Sequence, residues 1–154
     1  MYKVLLVDDE YMITEGLKRL IPFEKWDMEV VATANHADDA LDYVREHPVD
    51  VVISDVNMPD KTGLEMIGEM KELLPDAYYI LLSGYQEFDY VKKAMNLNVV
   101  DYLVKPVDKV ELEHLLEKIL GQLREKGHEP EMLSQQLDEE AFKTHLTQKE
   151  NWWI

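Results

Sequence analysis

The sequence predicts an α/β fold in which helices cover both faces of a doubly wound parallel sheet. Five short apolar runs recur along the first two thirds of the chain, and an amphipathic helical pattern follows each of them. The runs are continuously apolar rather than alternating, which is typical of strands that are buried on both faces. Regular alternation of strand and helix requires parallel strands that are joined by right-handed crossovers.

Each predicted strand is rich in Val, Ile, Leu or Tyr, and polar or turn-forming residues bound most of them. The strands comprise Val4–Val7, Val30–Ala32, Val51–Ile53, Ala77–Leu82 and Val99–Val104. Apolar residues spaced by three or four positions predict the helices. The five helical patterns begin near Ile13, Ala37, Leu64, Val91 and Leu112. Prolines end the first three patterns, and Asp108 is the predicted N-cap of the fifth.

The composition excludes several classes of function. The chain has 154 residues, of which 46% are hydrophobic, so one domain with a sizeable core is expected. Sixteen basic and 32 acidic residues give a net charge of −16, and nucleic-acid phosphates would repel such a chain. The absence of Cys excludes disulfides, zinc–thiolate sites, thiol catalysis and iron–sulfur clusters. No apolar run approaches the roughly 20 residues of a membrane span, so we expect a cytoplasmic protein.

Residues 122–154 differ in pattern from the rest of the chain. Gly127 and Pro130 interrupt the helical periodicity, and two tryptophans and an isoleucine stand at positions 152–154. We therefore expect one domain over residues 1–121 and then a linker that is cut off before a further domain. A natural tail that packs on the body of the protein or on a partner is the alternative.

Acidic residues collect where predicted strands end. In open α/β sheets, ligands bind outside the carboxyl ends of the strands. Asp8 and Asp9 follow the first strand, and Asp55 follows the third. Three carboxylates brought together repel one another, and a divalent cation with oxygen ligands, such as Mg²⁺, relieves that repulsion. The Asp8-Asp9 pair alone would indicate a helix cap, but together with Asp55 it favours a metal site.

An ammonium and a hydroxyl are expected at the same edge of the sheet. Lys105 ends the fifth strand, and Pro106 biases its backbone away from helical angles. A lysine held beside three acids can pair with them or neutralise an oxygen of an incoming phosphoryl group. Ser83 ends the fourth strand, and its hydroxyl can donate a hydrogen bond to a phosphate oxygen. Taken singly, these residues would more often be a solvated charge and a helix N-cap.

These residues, taken in order, resemble the receiver domains of two-component response regulators over residues 3–121. The motifs are Val7-Asp8-Asp9-Glu10, Asp55-Val56-Asn57-Met58-Pro59 with Gly63, Leu82-Ser83-Gly84, and Asp101-Tyr102-Leu103-Val104-Lys105-Pro106. Each motif alone is weak, whereas all of them at strand ends are highly specific. The sequences around Tyr11 and Tyr85 look most like those of regulators with an AraC-type DNA-binding output domain.

The resemblance implies a (βα)5 flavodoxin-like receiver fold with strand order 2-1-3-4-5 that works as a phosphorylation-activated switch. It identifies Asp55 as the phosphoacceptor, whose carboxylate becomes an aspartyl phosphate. It implies that Asp9 binds Mg²⁺ directly and that Asp8 holds the ion through water. Asp55 itself and the main-chain carbonyl of Asn57 complete the implied ligand set.

The resemblance also implies roles at the other strand ends. Lys105 matches the cation that pairs with the phosphate, Ser83 the switch hydroxyl, and Tyr102 the switch aromatic residue. Asn57 and Tyr85 match the positions that flank the path of the water that removes the phosphate. Because Tyr85 is bulky, we expect slower self-dephosphorylation than with a small residue there.

The implied partners are a sensor histidine kinase and a second copy of the chain. The homodimer would form through the fourth helix, the fifth strand and the fifth helix. DNA would be contacted only through an output domain outside this chain, and no membrane partner is expected. A stand-alone receiver that acts by protein–protein interaction is the main alternative.

Three further functions are disfavoured by particular residues. A phosphatase of the haloacid dehalogenase type carries its nucleophilic Asp on the first strand with another acid two residues later, whereas the isolated Asp55 is on the third. An FMN carrier needs a phosphate loop rich in Ser and Thr after the first strand, where this chain has three acids. A receiver that no longer accepts phosphate is disfavoured because Asp8, Asp9, Ser83 and Lys105 are retained with Asp55. We therefore expect a phosphoacceptor switch, not a turnover enzyme.

Overall fold

A computed structural model of the chain describes residues 1–58, 60–84 and 101–125. The chain divides into two compact units, Met1–Ile119 and Leu120–Ile154. The strands are β1 (Tyr2–Val7), β2 (Met28–Ala34), β3 (Val51–Asp55), β4 (Tyr78–Ser83) and β5 (Asp101–Val104). The helices are α1 (Tyr11–Leu20), a 3₁₀ turn (Phe23–Trp26), α2 (Ala37–Glu46), α3 (Gly63–Leu73) and α4 (Lys109–Glu125).

The five strands form one parallel sheet with the order β2-β1-β3-β4-β5, which confirms the predicted fold class. Neighbouring strands end at matching positions. Val7 pairs with Ser54, Asp55 with Leu82, and Ser83 with Val104. The register therefore brings the carboxyl ends of β1, β3, β4 and β5 to one edge of the sheet.

Apolar side chains on both faces of the sheet are buried, as continuous apolar strands require. On one face, α2 and α3 pack against residues that include Leu5, Val52 and Tyr79. Alternate strand residues such as Leu6 and Ile53 point to the opposite face and are also buried. The right-handed crossover from β1 to β2 assigns α1 to that second face.

The helix boundaries follow local signals at two places. Thr62 precedes α3 and forms a capping box, in which its hydroxyl accepts from the Glu65 amide and the Glu65 carboxylate accepts from the Thr62 amide. Asp108 precedes α4 and accepts from the Glu111 amide at 3.1 Å. The prediction of Asp108 as the N-cap is therefore confirmed.

Two expectations differ from the structure or fall outside it. Strand β2 is longer than predicted. It is an edge strand that exposes Glu29 and only half-buries residues 30–33, so its apolar pattern is weak and the sequence revealed only its middle. The fourth predicted helix, around Val91, and residues 126–154 lie outside the described residues. Among the described helices, none is long and apolar enough to cross a membrane.

Candidate functional site

Asp8 is fixed at the end of β1 by hydrogen bonds to its backbone and to both carboxylate oxygens. Its amide donates to the Ala34 carbonyl at 3.0 Å, which continues the β1–β2 ladder by one residue. Its Oδ1 accepts from the Glu10 amide at 2.9 Å, and its Oδ2 accepts from Lys105 Nζ at 2.9 Å. The side chain is 1% exposed, so these partners replace nearly all of its water.

Asp55, the last residue of β3, lies against the same ammonium. Lys105 Nζ is 3.3 Å from Asp55 Oδ1, and the Asn57 amide also donates to this carboxylate. The Lys105 amide donates to the Ser83 carbonyl at 2.6 Å, which extends the β4–β5 pairing by one residue. The peptide between Lys105 and Pro106 is cis. Three strand ends thus place two buried carboxylates on one lysine.

The pKa values of this cluster reflect burial opposed by charge pairing. Burial, strengthened by the negative charge of Asp8, raises the pKa of Asp55 to about 6 despite the Lys105 ammonium and the Asn57 amide. Burial likewise raises the pKa of Asp8. For Lys105, burial alone would lower the pKa, but the hydrogen bond to Asp8 and the charges of both acids outweigh it and raise the pKa. The lysine therefore stays protonated, and its single positive charge offsets the negative charge of only one of the two carboxylates.

The acids beside the cluster can hold a hard divalent cation. Asp8, Asp9 and Glu10 each offer a carboxylate oxygen, and these atoms lie within 4.8 Å of one another. Asp9 and Glu10 are exposed, so a hydrated ion can reach them. With Asp55 included, four carboxylates face the ammonium of Lys105, the one that contacts any of them among the described residues, and all of the donors are oxygens. This donor set fits Mg²⁺, which prefers a few carboxylates and retains several waters.

The other predicted site residues differ in position and environment. Ser83 is buried at the end of β4, and its carbonyl accepts from the Lys105 amide. Asn57 is exposed in the loop that follows β3. Tyr102 is half-buried on β5 and packs against the core rather than in the carboxylate cluster. Tyr85 lies outside the described residues.

The glycine that follows the β3 loop is required by a close backbone approach. A Cβ at Gly63 would overlap the Asp55 carbonyl oxygen and lie 3.1 Å from the Val56 Cα. The Gly63 amide also donates to the Val56 carbonyl at 2.6 Å. The loop therefore folds back on the residue that carries the buried carboxylate, and only a residue without a side chain fits at that point.

Sequence reasoning did not find the contacts that join the site loops to α2. The Asp60 carboxylate accepts from the amides of Ala37 at 3.2 Å and Asp38 at 2.9 Å. The Asn35 side-chain amide donates to the Asp8 carbonyl at 3.0 Å. The donor and acceptor residues of these bonds are 22 to 27 positions apart in sequence, so no local sequence pattern predicts them. The Thr62-x-x-Glu65 capping box was not predicted either, although its local sequence pattern could have identified it.

The comparisons with known proteins agree on one family. A statistical profile of the family described as "Response regulator receiver domain" matches residues 4–117. The receiver domain of AraT, a response regulator from Geobacillus stearothermophilus, superposes with a TM-score of 0.77 at 38% sequence identity. This match covers 82% of this chain and 98% of that one.

Two curated relatives are similar over most of this chain. The uncharacterized response regulatory protein SERP2406 of Staphylococcus epidermidis is 41% identical over 128 residues, which are 83% of this chain and 50% of that protein. The transcriptional regulatory protein HptR of Staphylococcus aureus is 38% identical over 125 residues, which are 81% and 49% of the two chains. The chain spans about half the length of these relatives. From the profile match, the fold and these identities, the chain belongs to the receiver domains of two-component response regulators.

Proposed function

We propose that this chain is a phosphorylation-activated switch that takes a phosphoryl group from a sensor histidine kinase onto Asp55. One observation carries the proposal: a buried carboxylate at the end of β3 lies 3.3 Å from a lysine ammonium that also binds the buried Asp8. A nucleophilic oxygen and a fixed cation at one sheet edge are what phosphoryl transfer requires of a protein.

In the transfer step, a carboxylate oxygen of Asp55 attacks the phosphorus atom of a phosphohistidine. The phosphorus–nitrogen bond breaks, its electron pair stays on the imidazole nitrogen, and that nitrogen then takes a proton from solvent. Because the pKa of Asp55 is about 6, the carboxylate is mostly ionised at neutral pH and can act as the nucleophile. Lys105 pairs with an oxygen of the phosphoryl group and offsets its charge.

Asp8, Asp9, Asp55 and the Asn57 carbonyl would hold Mg²⁺ beside this lysine. The bound ion supplies electrostatic neutralisation of the transferring phosphoryl group. The support for this assignment is the donor set: carboxylate oxygens outnumber the nearby ammonium, and Asp9 is open to solvent. Glu10 lies within the same group of carboxylates and is a further candidate ligand.

The switch residues act after the phosphoryl group has bound. We propose that the Ser83 hydroxyl moves toward a phosphate oxygen and that Tyr102 turns inward into the space that it leaves. The new charge on Asp55 thereby biases the end of β4 and strand β5. Asn57 and Tyr85 would set how long the phosphate lasts. The chain's only chemistry would be its own phosphorylation and dephosphorylation.

The output is proposed to be transcription, through a DNA-binding domain in the full-length protein. Support comes from relatives of which the matched residues make up only about half, and one of these relatives is named a transcriptional regulatory protein. An AraC-type output domain is our specific proposal, and it rests on the sequence resemblance. A homodimer that forms through β5, the helix predicted near Val91, and α4, which follows β5, would transmit the signal.

Phosphorylation of the purified chain tests the switch directly. We expect acetyl phosphate with Mg²⁺ to add the mass of one phosphoryl group, read by intact-protein mass spectrometry, and Asp55→Asn to abolish the gain. Asp76→Asn is the matched control, because it makes the same change at an exposed turn residue. An unmodified wild-type chain, or an Asp55→Asn chain phosphorylated at the wild-type rate, would refute the assignment.

A further inference from the structure

The N-terminal end of α2 contacts both loops that carry the proposed metal ligands. On one side, Asn35 donates from its side chain to the Asp8 carbonyl at 3.0 Å, in the loop that follows β1. On the other side, the amides of Ala37 and Asp38 donate to the Asp60 carboxylate, in the loop that follows β3. Residues 35–38, at the start of α2, thus support two loops that are far apart in sequence.

Asp60 supplies the cap that α2 lacks locally. The N-cap residue of α2 is His36, whose backbone is extended and whose side chain makes no capping hydrogen bond. The amides of a first helical turn need acceptors, and the residue at the N-cap ordinarily provides one. Here the acceptor comes from a different loop, so satisfying the helix also fixes that loop. Because both carboxylate oxygens are used, at 3.2 and 2.9 Å, the side chain has one defined orientation.

Lys61 adds a second connection between the same elements. Its ammonium is 2.6 Å from the Glu69 carboxylate on α3 and 3.5 Å from the Asp38 carboxylate on α2. These pairs are largely exposed and are individually weak. They nevertheless hold the segment that follows Asp60 in the same place. Asn57 lies three residues before Asp60, so its position depends on where this part of the loop is held.

We propose that Asn35 and Asp60 are positioning residues for the metal site. Through them, the start of α2 sets the separation between the loop of Asp8 and Asp9 and the loop of Asn57. The Mg²⁺ affinity of the unphosphorylated protein then depends on two side chains that are not metal ligands. This inference rests on the metal site in the proposed function and goes beyond it, because neither residue belongs to the motifs of the family resemblance.

Isothermal titration of Mg²⁺ into the unphosphorylated chain tests the proposal without any phosphoryl transfer. Partners that orient metal ligands affect affinity by about 10- to 100-fold, and an effect that passes through a loop backbone is smaller, so we expect Asp60→Ala to weaken binding by about 3- to 10-fold. Asn35→Ala should act in the same direction. Asp60→Asn keeps one carbonyl acceptor and should lie between the wild type and Asp60→Ala, which provides a second variant if the alanine protein folds poorly.

Two control variants separate positioning from general effects. Asp108→Ala removes the side-chain cap of α4, outside both loops, and it should lower the melting temperature but leave Mg²⁺ affinity unchanged. Asp42→Asn removes an exposed charge from α2 and leaves the loop contacts intact, and it should also leave affinity unchanged. If either control weakens Mg²⁺ binding as much as Asp60→Ala does, the effect is not one of loop position.

Phosphorylation by acetyl phosphate over a range of Mg²⁺ concentrations gives a second readout. We expect Asp60→Ala to need more Mg²⁺ for half-maximal rate and to reach the wild-type rate at saturation. Wild-type Mg²⁺ affinity in a folded Asp60→Ala chain, or a rate deficit that saturating Mg²⁺ does not remove, would overturn the positioning role alone. A wild-type chain that binds no Mg²⁺ would instead overturn the proposed metal site, and this inference with it.

Discussion

Lys105 supplies the only ammonium that contacts the buried Asp8 and Asp55 among the residues that the structure describes, and its replacement by methionine removes that charge. Its Nζ lies 2.9 Å from Asp8 and 3.3 Å from Asp55, whose side chains are 1% and 7% exposed. Methionine keeps most of the length and apolar surface of the lysine but cannot neutralise an acid. In metal-free protein, we therefore expect Lys105→Met to lower the free energy of unfolding, by an amount that depends on pH.

The size of the loss follows from burial and charge. Removing one partner of a buried ion pair typically costs about 3–5 kcal/mol, because the other charge is left buried and unpaired. The Lys105 side chain is 17% exposed, and water can screen part of that charge, so we expect a loss at or just below the lower limit of this range, about 2–3 kcal/mol near pH 8. Proton uptake by the carboxylates limits the loss, since a protonated acid no longer needs the ammonium.

The direction of the pH dependence follows from the raised pKa of Asp55. The folded pKa of about 6 is above the unfolded value of 3.8, so the folded state binds more protons between these values. Stability therefore falls as pH rises through this window. Without the ammonium, the folded pKa is higher still, and the fall continues above pH 6. The difference between wild type and variant should be smallest near pH 5 and reach its full size near pH 8.

Urea unfolding in EDTA at several pH values between 5 and 8 measures this difference. Lys118→Met is the matched control, because it removes one positive charge from an exposed position of α4. It should change stability little and without this pH dependence. Mg²⁺ should restore part of the stability lost in Lys105→Met, since a cation again faces the acids. A deficit that is equal at pH 5 and pH 8, or no deficit at pH 8, would refute the reasoning.

Two other substitutions test the surroundings of the phosphoacceptor. Gly63→Ala places a methyl group against the Asp55 carbonyl and should destabilise the fold by about 1–3 kcal/mol and slow phosphorylation. Gly68→Ala in α3 has open space around its Cβ and should be neutral or stabilise by up to about 1 kcal/mol, as chemical unfolding of the two variants would show. Asp55→Asn should stabilise metal-free protein at pH 8. An Asp pKa of about 6, which already includes the attraction of Lys105, implies up to about 3 kcal/mol lost on ionisation, so we expect a gain of about 1–3 kcal/mol. A calorimetric melting temperature below that of wild type would contradict this last expectation.

Most of the described fold was predictable because its signals are local. Continuous apolar runs mark strands that are buried on both faces, and the central strands β1, β3 and β4 have this pattern. Strand β2 was underestimated because an edge strand is covered less, and its exposed Glu29 hides the pattern. The caps Thr62 and Asp108 act on amides three residues away, so their sequence neighbourhood is sufficient to identify them.

The candidate site was predictable only in part. The rule that ligands bind at the carboxyl ends of parallel strands indicates that Asp8, Asp55 and Lys105 share an edge. It does not say that one ammonium contacts both carboxylates, nor that burial raises the pKa of Asp55 to about 6. Those facts depend on the register of β1, β3, β4 and β5, and on how completely neighbouring segments exclude water.

The sequence by itself determined the alternation of strand and helix, and the acids, hydroxyl and lysine that stand at strand ends. It could do so because periodicity and residue type are properties of short segments. Only the tertiary structure decided that Asp60 caps a helix 22 residues earlier and that Asn35 supports the loop of Asp8. Such contacts join segments that meet only after the sheet has assembled, so the sequence of either segment alone does not reveal them.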